Sequence, residues 1–278
     1  MSGNTFISSR LELIENRFKE IDTLLDLAQK NITDPTTYST LCRSAHVLLV
    51  SHVEGIYKDI VRDTIDDLNR NTDFITIKKS IFKTHSLHFI QNRENSNFSD
   101  NSKFTENEKF TEVIKDRLWE AFKNNKTELI LEPFLRIDNK NPTPKILEEI
   151  LKKFGENSFF NSLKDSRLEI VFENDSKSSI RELNRIKKYL NKGVQNFPYN
   201  VDKSYFYNND TTKSKKDKGL FEEFLNEFLS DRHKIVHGQT LDNPKNDKEI
   251  EISKLKIEIL IYAFIISICH CSNPIMHL

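Results

Sequence analysis

Apolar residues recur three and four positions apart from the start of the chain. Leu11, Ile14, Phe18, Ile21, Leu24, Leu25 and Ala28 form the stripe of an amphipathic helix. Ser9-Arg-Leu-Glu12 has capping-box form, so a helix is expected over 8–30. Asp34-Pro35 then reads as an N-cap with proline at the first helical position. It opens a long second helix to about 69, striped by Leu41, Ala45, Leu48, Leu49, Val53, Ile56, Ile60, Val61, Ile65 and Leu68.

The middle is less regular. Ile75-Thr-Ile77 reads as a short strand or an extended link, and 81–90 as a short helix. The Asn-, Ser- and Glu-rich run 92–107 reads as a loop. A helix is expected over 110–122, with Trp119 on its apolar side. Leu129 to Asn141, interrupted by Pro133, supports no single assignment. Thr143-Pro144 opens a helix that Gly155 stops. Ser179-Ile-Arg-Glu182 has capping-box form and starts another, to about 191. Residues 196–218 read as a polar loop with a lysine cluster at Lys213, Lys215, Lys216 and Lys218. Leu220, Phe221, Phe224, Leu225 and Phe228 share a helical face, and a final helix is expected over 248–271. The expected fold is all-α: a bundle from about 1–91 and 206–278, in one domain, with 92–205 as a large, mostly helical insertion.

Composition agrees. Six glycines and seven prolines in 278 residues are too few for a turn-rich all-β fold. Twenty phenylalanines predict an aromatic-rich core. Lys plus Arg and Asp plus Glu balance at 42 each, so bulk charge gives no sign of a nucleic-acid binder, although a local basic patch is compatible with it. Three cysteines make no disulfide framework. No basic segment followed by an apolar run opens the chain. The most apolar stretch, 257–271, contains Glu258 and is shorter than the roughly 20 residues that span a bilayer. A cytoplasmic protein without membrane contact is expected.

The candidate chemistry lies in Arg232-His-Lys-Ile-Val-His237. Arginine holds phosphate bidentately, and histidine moves protons near neutral pH. Together they suit cleavage of a phosphodiester without a metal or other cofactor, with histidine as general acid or base and arginine stabilising charge on the phosphorane. Read from composition and spacing alone, the segment is first a helix C-terminus whose basic residues favour the dipole. On a straight helix Arg232 and His237 stand about 140° apart, at 100° per residue. The segment must therefore bend, end a helix or pair with a second copy. Gly238 supports a helix end.

Arg232-His-Lys-Ile-Val-His237-Gly238, between two helices, resembles the Arg-x(4–6)-His signature of the HEPN superfamily (higher eukaryotes and prokaryotes nucleotide-binding domains). Ser51-His-Val-Glu54-Gly55 on the second helix resembles a stretch of defence-linked prokaryotic HEPN proteins. The resemblance implies a metal-independent endoribonuclease of toxin or antiphage type, cutting tRNA or other RNA through the 2′-hydroxyl. It implies a homodimer whose Arg-His motifs meet in one cleft. Arg232 would bind the scissile phosphate, His237 act as acid or base, His233 assist, Lys234 hold substrate and Glu54 orient the site. An antitoxin or sensor protein is the further partner it suggests. Gln239 stands where one subgroup has a tyrosine that a partner enzyme modifies, which sets that control aside. The alternative is a non-catalytic HEPN module binding RNA, nucleotide or protein. Cys269-His270-Cys271 with His277 lacks the spacing of a zinc site and reads as buried thiols. His46 and His52 fall on different faces, and His85 and His88 lack a third ligand. No metal is expected.

Overall fold

The computed structural model describes residues 4–90, 106–124, 127–135, 141–173, 175–208, 218–238 and 245–274. All regular structure among them is helical. Helices α1 (Phe6–Lys30) and α2 (Pro35–Asn71) form an antiparallel hairpin. Asp34 caps α2 by accepting from the Thr36 and Thr37 amides, with Pro35 at the first position. Helix α1 begins earlier than its capping-box form predicts. Thr5 is the N-cap and accepts from Ser8. The Phe6 and Ile7 amides donate to the Asp67 carboxylate at 2.8 and 3.2 Å. A side chain at the far end of α2 thus satisfies amides that a helix start leaves without intrahelical partners.

The segment expected as strand or link forms a 3-10 turn, Phe74–Thr76, and leads to α3 (Lys79–Ile90). Helix α4 (Glu106–Lys123) packs on α3. Arg117 Nη1 donates to the His88 carbonyl at 2.6 Å. Trp119, two positions on, falls about 200° around the helix and is 69% exposed, contrary to its expected burial. The stretch around Pro133 contains α5 (Glu132–Leu135). Helix α6 (Pro144–Phe154) has the expected ends: Thr143 accepts from Ile146, and Gly155 adopts φ 107°.

A short α7 (Phe159–Leu163) and a 3-10 turn, Arg167–Phe172, lead to α8 (Ser176–Gly193). Its cap is Asp175, not Ser179. Ser179 is buried one turn inside, and Glu182 pairs with Arg167 at 2.8 Å instead of closing a capping box. Helices α9 (Leu220–Val236) and α10 (Asp247–Ser272) complete the chain. Most of the 92–107 loop and residues Lys213, Lys215, Lys216, Gln239 and His277 lie outside the described residues.

Helix α10 occupies the centre. It packs on α1, α2 and α9 and also on α6 and α8. Every residue from Ile257 to Cys269 is therefore buried. An α-helix apolar on all sides requires such an enclosed place. The apolar core is continuous from Ile7 to Cys271 and includes Phe154, Phe159 and Phe206 from the middle of the chain. Among the described residues no helix is long and apolar enough to cross a membrane.

Candidate active site

The Arg232–His237 segment is the C-terminal end of α9. Phe221, Phe224, Leu225, Phe228 and Leu229 bury one face of that helix. His46 of α2 packs its ring 4.6 Å from Phe228 and places Nε2 3.0 Å from the Phe228 carbonyl. Burial, the main influence, holds the His46 pKa below its ordinary value. A neutral ring donating from Nε2 therefore joins α2 to α9.

Helical geometry ends at Val236. His237 is the C-cap, with φ −91° and ψ 9°, and its amide donates to the His233 carbonyl. Gly238 follows at φ 62°, with nothing within 4 Å of where a Cβ would stand. Glycine is required there by backbone conformation, not by space.

Asp231 is buried beside this end. It accepts from Lys245 at 2.6 Å and Lys234 at 3.2 Å. Burial acts to raise its pKa, but the hydrogen bonds from Lys245 and Lys234 outweigh that, and the carboxyl titrates below its usual range. The pair fastens the end of α9 to the residue before the Asn246 cap of α10. Lys234, expected to hold substrate, is half exposed and already engages Asp231.

Among the described residues no hydrogen bond joins Arg232 to His237. Arg232 Nη1 is 3.5 Å from Asn141 Oδ1, just ahead of α6, and its Nε is enclosed without a hydrogen-bond partner among the described residues. His233 and His237, one helical turn apart, are both exposed, with ring centroids 4.2 Å apart at 50°. The structure thus pairs the two histidines, while Arg232 reaches toward Asn141. Glu54 bonds Lys58 on its own helix at 2.7 Å, and among the described residues no hydrogen bond or ion pair joins it to Arg232. A Cβ on Gly55 would stand 2.9 Å from Arg17 Nη1, so the glycine there admits an arginine from α1. An open groove of about 410 Å³ borders the segment, lined by Arg43, Ser44, Leu48 and Ser51 of α2 and Ile235 of α9.

Sequence reasoning missed Asn141, Asp231 and His46. Adjacency to Arg232 was a signal for Asp231. Asn141 is 91 positions from Arg232 and left none. Elsewhere, Cys269 and Cys271 are buried thiols. His85 Nδ1 accepts from the Ile130 amide, while His88 Nδ1 pairs with Glu132. Among the described residues no three His, Cys, Asp or Glu side chains group to hold a metal.

A family model described as RiboL-PSP-HEPN matches residues 12–174, more than half of the chain. The protein belongs to this HEPN family. The matched span runs from α1 through the turn before α8, so it includes Glu54 and excludes Arg232–His237. No curated protein and no solved structure matches the chain. HEPN membership places the protein among helical domains that act as ribonucleases or RNA-binding modules.

Proposed function

We propose that this HEPN protein is a metal-independent endoribonuclease with its active site at the C-terminal end of α9. The exposed His233–His237 pair beside Arg232 carries the reading. Two imidazoles 4.2 Å apart supply a proton acceptor and a proton donor in one place. One takes the proton of a ribose 2′-hydroxyl and the other protonates the leaving 5′-oxygen. Arg232 stabilises the charge that develops on phosphorus, and Lys234 adds a second cation. The products are a 2′,3′-cyclic phosphate and a free 5′-hydroxyl.

Arg232 reaches Asn141 while His237 meets His233, which supports completion of the site by a second copy across a homodimer, with Glu54 orienting the assembled cleft. On this reading 92–205 is an insertion on the bundle built from 1–91 and 206–278. The role is that of a cytoplasmic toxin or antiphage nuclease acting on tRNA or other cellular RNA, restrained by an antitoxin or triggered by a sensor protein.

The test uses purified full-length protein and total tRNA. Arg232→Ala and His237→Ala are expected to lower cleavage by about 10²–10³-fold and about 10²–10⁴-fold, the worth of a charge-stabilising donor and of a positioned acid or base. EDTA is expected to leave the rate unchanged. Wild-type rates in both variants would overturn the proposal. The match that ends before the motif, and the engagement of Glu54 by Lys58, favour a second reading, a non-catalytic RNA- or nucleotide-binding module. Saturable RNA binding without cleavage would decide for it.

A further inference from the structure

Lys78, Lys83 and Lys152 line an open cavity of about 520 Å³ between α3, the end of α6 and the end of α10. Lys78 precedes α3, Lys83 lies one turn inside it, and Lys152 is in the last turn of α6. Asn157 lies on the same wall, and among the described residues no carboxylate does. Glu156, the adjacent acid, is buried and bonds Lys203. Among the described residues Lys83 and Lys152 form no ion pair. Three cations therefore face one concavity, which focuses a positive potential into it.

The lining also restricts what fits. The Ser80 hydroxyl donates to the Phe154 carbonyl at 3.1 Å. The Thr84 hydroxyl lies 3.1 and 3.2 Å from the Ser80 and Lys153 carbonyls. Both hydroxyl protons are committed to the backbone, leaving the ammonium groups and the Asn157 amide as donors. Lys78 reaches the His270 carbonyl at 3.4 Å, and its ammonium keeps further protons free. Phe154, the aromatic side chain of the wall, is fully buried and offers no face to a nucleobase. Lysines act as point charges, not planar forks. The matching ligand is a compact, multiply charged oxyanion.

We propose that this cavity binds consecutive phosphate groups, recognised as a charged chain without reading of the base. The source is either the triphosphate of a free nucleotide or the backbone of RNA. The site is separate from the α9 end. Helix α6, eleven residues long and so about 16 Å at 1.5 Å per residue, lies between Asn141 at one end and the cavity at the other. The proposal stands whether or not the protein cuts RNA.

The experiment measures calorimetric binding of inorganic tripolyphosphate to the full chain at fixed ionic strength. Wild type and Arg232→Ala are expected to bind alike and saturably. Lys83→Glu/Lys152→Glu, which alters two exposed side chains, is expected to weaken binding at least tenfold. Lys83→Gln repeats the comparison if the double reversal unfolds the protein. Competition assigns the source. Displacement by ATP supports the free nucleotide, and displacement only by a non-cleavable 2′-O-methyl RNA supports the backbone. In the second case the log–log salt slope of RNA binding should fall by about 1.4 in the double variant, at roughly 0.7 per phosphate contact. Absence of saturable tripolyphosphate binding, or equal affinity in the lysine variants, would overturn the proposal.

Discussion

Asp231→Asn tests whether the end of α9 is held by charge. The substitution keeps the size of the side chain, so it opens no cavity and isolates the loss of the carboxylate. Asp231 is buried and lies 2.6 Å from Lys245, whose side chain is 14% exposed. Breaking a fully buried pair costs about 3–5 kcal/mol, and an exposed one about 0.2–1 kcal/mol. Lys245 keeps Glu227 at 3.4 Å, but that carboxylate is 71% exposed and compensates weakly. The expected loss lies between the limits, at about 2 kcal/mol. At about 2–4 °C per kcal/mol for a chain of this size, Tm should fall by roughly 4–8 °C.

The pH dependence gives the sign. A carboxyl whose pKa is lowered by folding stabilises the native state above its unfolded pKa, about 3.9, and ceases to as pH falls through the folded value. The Lys245 pKa is raised: burial acts to lower it, but Asp231 and Glu227 outweigh that. Its share therefore persists up to the unfolded lysine pKa of about 10.4. The gap between wild type and variant should be flat from about pH 5 to pH 9 and narrow below about pH 4. Scanning calorimetry across that range reads it. A Tm difference under about 1 °C at neutral pH, no more than a weak exposed pair would give, would refute the reasoning. So would a gap that persists undiminished in acid.

Two further stability predictions rest on other contacts. A Cβ on Gly193 would stand 2.7 Å from the Asn200 carbonyl oxygen, which is backbone and cannot swing aside. Gly193→Ala should therefore cost about 1–3 kcal/mol, the range for overpacking, and urea unfolding with an unchanged midpoint would contradict it. His46, His52 and His85 have pKa values lowered chiefly by burial, so the unfolded chain binds more protons around their ordinary value of about 6.5. Stability should fall as pH drops from about 7 to 5. Removing His46, which is fully buried, should flatten that fall most, as read from melts of His46→Gln against wild type.

The sequence by itself determined the long elements. The stripes from Leu11 and Leu41, Asp34-Pro35, Thr143-Pro144 and Gly155 located α1, α2 and α6 because caps and apolar spacing act within a turn or two of backbone. The motif's place at a helix end was legible in the same way, from Gly238. Local signals failed where distant residues intervened. The carboxylate of Asp67, across the hairpin, starts α1 ahead of its capping box. Glu182 turns to Arg167, so Ser179 lies inside α8, and Trp119 stands exposed because α4 meets α3 with its other side.

Only the tertiary structure decided the site's neighbours. Arg232 reaches Asn141, His233 faces His237, and Glu54 stays with Lys58. The lysines of the second cavity are brought together from separate helices. Periodicity states which face of a helix is apolar. Which side chains of separate helices meet depends on how those faces pack, and no single helix encodes that.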